Sequence, residues 1–217
     1  MSSASSESTK QNHTAPTVAQ GAAGASTSDG RLNRSLVTRK KIVEALCALI
    51  QDGTLRPTAE QVAARANVGL RTVFSHFEDM EMLYREISAK LEEMLAPTQK
   101  FQLQGETWKQ RLSDGIAKRC EMFERVAAFH LASQAVRHQS DYVHQQLITS
   151  AQVQRGLLTH LLPKALSAQQ VTLESLDLAM SLDAWIRLRR EQGLDAHAAQ
   201  QVVRHMVGSL IGGLEDA

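Results

Sequence analysis

Apolar residues recur at intervals of three and four residues in one segment after another along the chain. The first such segment, TRKKIVEALCALIQDG at residues 38–53, places Ile42, Leu46 and Ile50 on one side of a helix that Thr38 would cap. Helix breakers are scarce, with 12 glycines and 4 prolines in 217 residues. The pattern and the composition together predict an all-α fold.

Several classes of protein are excluded by what the sequence lacks. The two cysteines, Cys47 and Cys120, lie in apolar helical segments, which favours buried thiols over a disulfide framework. No apolar run approaches the roughly 20 residues of a membrane helix, and the N-terminal residues lack the apolar core of a signal peptide. We therefore expect a cytoplasmic protein with no membrane partner.

The N-terminal residues have a different composition from the rest. Residues 1–34, rich in Ser, Ala, Thr and Gly, are predicted to form a disordered tail. Arg31 and Arg34 at its end fit either a solvated linker or an arm that reaches a DNA groove. Residues 31–77 contain 8 Lys/Arg against 3 Asp/Glu, whereas residues 78–217 contain 15 against 18. This asymmetry favours a polyanion partner for the first part of the chain.

Residues 58–77 predict two short helices with a tight break between them. Thr58 is a suitable N-cap for the first helix, and Gln61 completes a capping box. Asn67 tolerates the left-handed conformation that ends this helix and redirects the chain. Gly69 then begins the second helix without a capping side chain.

The second of these helices, from Leu70 to about His76, is too short to be stable alone. We expect Val73 and Phe77 to hold it in a small three-helix core. The residues that remain outward or at its edges are Leu70, Arg71, Thr72, Phe74, Ser75 and His76. Small hydrogen-bonding and cationic groups on a short, rigid helix suit insertion into a DNA major groove, so this segment predicts a helix-turn-helix.

The same residues resemble the TetR-type (TetR/AcrR-like) transcriptional regulators. The resemblance is carried by TRKKIVEAL, TAEQVAARANV, RTVFSHF and EDMEMLYREI. It implies a helix-turn-helix DNA-binding domain over residues 35–95, with its motif at 58–77, joined by a connecting helix to a larger helical ligand-binding and dimerisation domain over residues 98–217. It further implies a cytoplasmic homodimer, nucleoid-associated on DNA, that represses transcription from a palindromic operator and responds to an unknown small molecule without a cofactor.

The candidate DNA contacts follow from the motif and the resemblance together. They are Thr38, Arg39, Lys40, Thr58, Leu70, Arg71, Thr72, Phe74, Ser75 and His76. Alternatives stay open: Arg39 and Lys40 can form a solvated helix face, Thr58 can act only as a cap, and His76 can pack in the core. Phe74 stands where the family usually has Tyr, Gly69 replaces a capping Ser, and Met80 replaces a Lys. Each replacement would weaken contact with the DNA backbone by about 1 kcal/mol.

Beyond residue 80 the pattern predicts five or six further helices. The connecting helix should stop before Pro97, and one or two helices should follow over residues 108–137. Ser140 should cap a helix that Pro163 ends. A final pair is expected over residues 172–193 and, capped by Asp195, up to Gly213.

Two further sites are expected in these helices because of the resemblance. An effector pocket would be lined by Trp108, Met122, Phe123, Phe129, His130 and Tyr142. A dimer interface, which a two-fold operator requires, would involve Leu178, Leu182, Trp185, Val202, Met206 and Ser209. The alternative for both sets is ordinary packing within one chain.

No catalytic residues or metal ligands are expected. The chain has no Gly-rich phosphate loop and no Cys-x-x-Cys, and His130, His138 and His144 are not spaced to share one helical face. An enzyme is therefore disfavoured. The remaining alternative is a helical ligand-binding or scaffolding protein with weakened DNA binding.

Overall fold

In the computed structural model, the backbone is described for residues 25–99 and 102–212, and the side chains for residues 30–91, 93 and 102–212. Over these ranges the protein is all-α, as predicted, and contains no strand. No helix within them combines the length and apolar character needed to cross a membrane. The helices are α1 (Ala25–Gln51), α2 (Ala59–Ala66), α3 (Leu70–His76), α4 (Met80–Gln99), α5 (Trp108–Val136), α6 (Asp141–Leu161), α7 (Lys164–Ser167), α8 (Gln170–Ala179), α9 (Leu182–Ile186), a π-helical segment (Arg187–Glu191) and α10 (Ala196–Ile211).

The chain divides into two units, Met1–Thr38 and Arg39–Ala217. In the first unit, residues 25–34 are helical although they were predicted within the disordered tail; residues 1–24 of that tail lie outside the described residues. Thr38 is not an N-cap, because it lies inside α1 and its hydroxyl donates to the carbonyl of Arg34 at 3.0 Å. The earlier start is compatible with the local sequence, since residues 31–37 (RLNRSLV) contain neither Gly nor Pro.

In the second unit, helices α1 to α4 share one hydrophobic cluster, which we call the N-terminal cluster. It contains Ile42, Val43, Ala45, Leu46, Ile50, Val62, Ala63, Val73, Phe77, Leu83, Ile87, Phe129 and Ala132. Val73 and Phe77, 2% and 1% exposed, hold the seven-residue α3 as predicted. Phe129 and Ala132 come from α5, so this cluster extends beyond the predicted boundary at residue 95.

The capping and turn residues predicted around α2 and α3 have the expected roles. Thr58 caps α2, and both hydrogen bonds of its capping box with Gln61 are formed. Asn67 has the left-handed conformation, with φ 53° and ψ 50°. Gly69 is the N-cap of α3 and makes no side-chain hydrogen bond. The direction of α3 is therefore set by local geometry as well as by the cluster beneath it.

Helices α5 to α10 surround a second cluster, which we call the C-terminal cluster, with Trp185 only 1% exposed at its centre. The single helix predicted for residues 172–193 is instead α8, α9 and the π-helical segment. The break occurs because the Ser181 hydroxyl accepts a hydrogen bond from the Ala184 amide at 3.1 Å, which starts a new helix. The prediction for α4 was also wrong at its end, since that helix continues through Pro97 to Gln99.

Candidate functional site

The outward side of α3 carries exposed polar and aromatic side chains. Arg71 and Ser75 are exposed, four residues apart, and so lie on the same face of the helix. Leu70 and Phe74 are 38% and 50% exposed. Among the described residues, no carboxylate lies within ion-pair distance of Arg71. This face therefore presents one unpaired cation, a hydroxyl and an aromatic ring to solvent.

Three other side chains of α3 are partly engaged within the protein. The Ser75 hydroxyl donates to the carbonyl of Thr72 at 2.8 Å, which leaves its oxygen free only as an acceptor. Thr72 and His76 are half-buried at the edge of this face. Arg71 is thus the α3 side chain with the most donors available to an external partner.

Arg39, one of the predicted DNA contacts, is engaged within the protein. Its Nη1 donates to the His76 carbonyl at 2.7 Å, and its Nη2 donates to Glu86 Oε1 at 2.5 Å. The guanidinium carbon lies 4.2 Å from the centroid of the Phe77 ring. These three contacts join α1, the end of α3 and α4. Arg39 is therefore a positioning residue for α3.

The other predicted contacts outside α3 differ in availability. Lys40 is 72% exposed, and its ion pair with Glu44 is long, at 3.8 Å. Thr58 is exposed but serves as the cap of α2. Thr38 belongs to the first unit, and its hydroxyl is used inside α1. Lys40 is the residue of this group whose charged end is largely exposed to solvent.

Helix α4 is linked to α6 by polar contacts. Ser140, the N-cap of α6, donates to Glu81 Oε2 at 3.1 Å, and Arg85 donates to Glu81 Oε1 at 2.8 Å. These two hydrogen bonds hold the pKa of the Glu81 carboxyl below its ordinary value. The Arg85 guanidinium also lies 4.3 Å from the centroid of the Tyr142 ring. These contacts therefore hold the N-terminal part of α4 against the start of α6.

The six predicted effector-pocket residues do not line one cavity. Trp108 and Phe123 are buried in the C-terminal cluster, with Met122 packed against it, whereas Phe129 belongs to the N-terminal cluster. The cavity that Phe123 does line has a volume of about 10 Å³, which is room for at most one water molecule. The cavity beside Phe123 is thus too small to hold an organic effector.

His130 and Tyr142, the two remaining residues of the predicted effector pocket, make other contacts. His130 Nε2 lies 3.0 Å from Asp183 Oδ1, and this hydrogen bond lowers the pKa of the Asp183 carboxyl. Tyr142 packs under Arg85, as described above. Trp108 keeps a buried indole N–H with no hydrogen-bond partner among the described residues. Neither His130 nor Tyr142 faces the cavity beside Phe123.

The six predicted dimer residues also separate. Leu182 and Trp185, 7% and 1% exposed, belong to the chain's own core, so their assignment to an interface was wrong. Val202 and Met206 are half-buried against the same cluster. Leu178, by contrast, is 70% exposed, and Ser209 is exposed on α10. Of the six, only Leu178 and Ser209 are exposed, and the Ser209 hydroxyl donates to the carbonyl of His205 at 2.9 Å.

Sequence reasoning missed one concave surface, which we call the arginine groove. It is an open groove of about 510 Å³, lined by Gln51 at the end of α1, Glu124, Arg125, Ala127 and Ala128 of α5, and Trp185, Ile186, Arg189 and Arg190. The run RLRRE at residues 187–191 is its one sequence signal. The opposite wall lies more than sixty positions earlier in the chain, and nothing local in the sequence connects the two.

Comparison of the chain with protein-family models, curated proteins and solved structures gave no match. The family assignment therefore depends on the residues that carry the resemblance and remains a prediction. Among the side chains described, those of residues 30–91, 93 and 102–212, no three His, Cys, Asp or Glu converge as metal ligands.

Proposed function

We propose that the protein is a sequence-specific DNA-binding transcriptional regulator of the TetR type. It acts as a cytoplasmic homodimer on a palindromic operator and represses transcription until a small molecule binds. The α3 helices of the two copies enter successive major grooves, because one short helix reads too few base pairs to specify a site.

One observation carries the proposal: α3 is a short helix anchored from below, with its polar side free. Val73 and Phe77 are almost fully buried, while Arg71 and Ser75 are exposed. A seven-residue helix is marginal in isolation, so α3 is stabilised by the cluster beneath it and its outer face is available to a partner. Arg71 is suited to guanine O6 and N7, and the Phe74 ring to a sugar or a thymine methyl.

The contacts of α4 supply a route by which a change in the body would reach α3. Glu81 and Arg85 bind the start of α6, and Glu86, the next residue of α4, binds Arg39. Arg39 in turn donates to the carbonyl of His76 at the end of α3. A shift of α6 against α4 would therefore move the reading helix. Effector and DNA would oppose each other by the same coupling free energy, of order 1–3 kcal/mol.

A dimer surface is available on the last helices. Helices α8 and α10 pack against each other, and each keeps side chains that the chain itself leaves uncovered. On α8, Val171 and Leu178 are 82% and 70% exposed, and on α10, Leu210 is 38% exposed. A Cβ added at Gly208 would meet no atom within 4 Å, so the outer face of α10 is open to close approach. We place the two-fold contact there.

The second candidate function is a helical ligand-binding or scaffolding protein with weakened DNA binding. It is favoured by Phe74, which lacks a hydroxyl for phosphate, and by the use of Arg39 inside the protein. The two functions differ in their behaviour toward duplex DNA. A DNA reader loses affinity steeply as salt rises and keeps a sequence preference at fixed salt.

The test is selection of duplexes from a random pool by the purified full chain, followed by titration of the selected duplex over a range of salt. We expect enrichment of an inverted repeat with half-sites about one helical turn apart, and a steep decrease of affinity with salt. Lys40→Ala should weaken selected and unselected duplexes alike. A pool that stays random after repeated rounds would rule out the regulator and leave the scaffolding alternative.

A further inference from the structure

The arginine groove has an excess of positive charge on an apolar floor. Three arginines and one glutamate line it, which gives the lining a formal charge of +2. Its floor is formed by Ala127 and Ala128, whose short side chains leave the space open, and by Ile186. Its volume of about 510 Å³ falls within the range of small-molecule sites, about 300–1,000 Å³.

The glutamate of the groove is already satisfied, so it does not neutralise the other arginines. Glu124 accepts hydrogen bonds from Trp185 Nε1 at 2.8 Å and from Arg189 Nε and Nη2 at 2.8 and 2.9 Å. These bonds, led by those from Arg189, hold the pKa of Glu124 below its ordinary value although burial opposes them. Arg189 also donates to the Leu194 carbonyl at 2.5 Å. Glu124 and Arg189 are therefore a fixed, mutually neutralised part of the wall.

Arg125 and Arg190 supply the charge that is left. Both are exposed, and neither has a carboxylate within 4 Å among the residues with described side chains. Arg190 lies near enough to Glu124 to help lower the pKa of that carboxyl, but it forms no ion pair with it. The lining of the groove thus contains two guanidinium groups that form no ion pair with a described carboxylate.

The backbone of the wall that carries Arg189 and Arg190 has an unusual conformation. Residues Arg187–Glu191 form a π-helical turn, which is rare and occurs frequently at functional sites. The turn follows α9 directly, and four residues of this wall, at 185, 186, 189 and 190, line the groove together. This backbone feature is independent of the charge and points to the same place.

We propose that the arginine groove binds a small amphipathic organic anion, namely a carboxylate attached to an aromatic or aliphatic body. The carboxylate pairs with Arg125 and Arg190, and the apolar body covers Ala127, Ala128 and Ile186. This inference rests on the proposed function, because it assigns the effector of the regulator to a surface groove, whereas the cavity beside Phe123 is too small for an organic molecule.

The position of the groove gives a route by which a bound anion would change the position of α3. Gln51, the last residue of α1, forms part of the lining, and Arg39, which holds the end of α3, lies twelve residues earlier on the same helix. At 1.5 Å per residue this is about 18 Å along the helix axis. An anion that draws α1 toward α5 and α9 therefore acts on a rigid element that reaches the reading helix. The distance and the concave shape also favour a small molecule over the duplex itself.

The test uses the purified full chain and four probes: 2-naphthoate, decanoate, the uncharged 2-naphthamide and inorganic phosphate. Isothermal titration should give a Kd below about 1 mM for at least one carboxylate, with the amide and phosphate at least about tenfold weaker. Arg125→Gln and Arg190→Gln should each weaken the carboxylate about tenfold, as expected for loss of one charge-assisted hydrogen bond. Arg187→Gln is the matched control, since this arginine is in the same π-helical turn but outside the groove lining.

Equal binding of naphthoate and naphthamide, no binding of either carboxylate, or an equal loss with Arg187→Gln would overturn the anion site. So would a double variant, Arg125→Gln with Arg190→Gln, that loses affinity for duplex DNA while no carboxylate binds, because the groove would then be a DNA contact. These measurements need no operator. If carboxylates bind as expected and no DNA sequence is selected, the site stands and the proposed function fails.

Once a duplex has been selected, a saturating concentration of the carboxylate should change the affinity of the protein for that duplex by 5- to 150-fold. The change should be lost in Arg190→Gln and kept in Arg187→Gln. An unchanged affinity for DNA at saturating carboxylate would overturn the assignment of the groove as the effector site.

Discussion

Replacing Arg39 by Ala tests whether this side chain positions α3. The variant loses the hydrogen bond to the His76 carbonyl, the ion pair with Glu86 and the contact with the Phe77 ring. A hydrogen bond from a charged donor contributes about 1.5 kcal/mol to the free energy of unfolding. The ion pair, whose side chains are 31% and 39% exposed, adds only about 0.5 kcal/mol because solvent screens it. The ring contact adds about 0.5 kcal/mol.

Together these losses amount to about 2.5 kcal/mol, which for a unit of this size lowers the Tm by roughly 5–10 °C. Thermal and urea unfolding followed by circular dichroism measure the change. Glu86→Gln should cost only about 0.5 kcal/mol, because it keeps the carbonyl and ring contacts. Lys40→Ala is the matched control on the same helix and should lower the Tm by less than about 2 °C. Arg39→Ala and Lys40→Ala with the same Tm would refute a positioning role for Arg39.

Three further predictions concern single residues. Asn67→Gly should leave the free energy of unfolding nearly unchanged, whereas Asn67→Ala should lower it by about 1 kcal/mol, because Ala tolerates the left-handed φ of 53° poorly. Thr58→Ala should cost about 1 kcal/mol in urea unfolding through loss of the α2 cap. Burial raises the pKa of the Cys120 thiol to about 11, so the free energy of unfolding should fall as the pH rises from 9 toward 11. Cys120→Ala should remove that part of the slope, and a slope equal to that of the unaltered chain would contradict the assignment.

The elements around α3 were predictable because their signals are local. The capping box of Thr58 and Gln61 spans three residues, and Asn67 needs only its own backbone conformation to end α2. The outward face of α3 followed from the spacing of Val73 and Phe77. Such features depend on a few residues that are close in sequence, so the sequence of one chain is enough to predict them.

The features that the sequence did not reveal depend on distant partners. Arg39 looked like one of several free cations, yet it binds groups 37 and 47 residues away. Trp185 fitted an interface stripe equally well until packing placed it in the core. The break at Ser181 was hidden because Leu178 and Leu182 continue the apolar spacing across it. The arginine groove has walls from three parts of the chain and was missed for the same reason.

The measurement that bears most directly on the central claim is a base-by-base scan of the selected duplex with the unaltered chain and with Arg71→Ala. If the outer face of α3 reads bases, Arg71→Ala loses discrimination of about 1–3 kcal/mol at one position in each half-site. Preferences at the other positions should persist. A uniform loss across all sequences, or an unchanged preference at every position, would contradict the claim that this helix reads the operator.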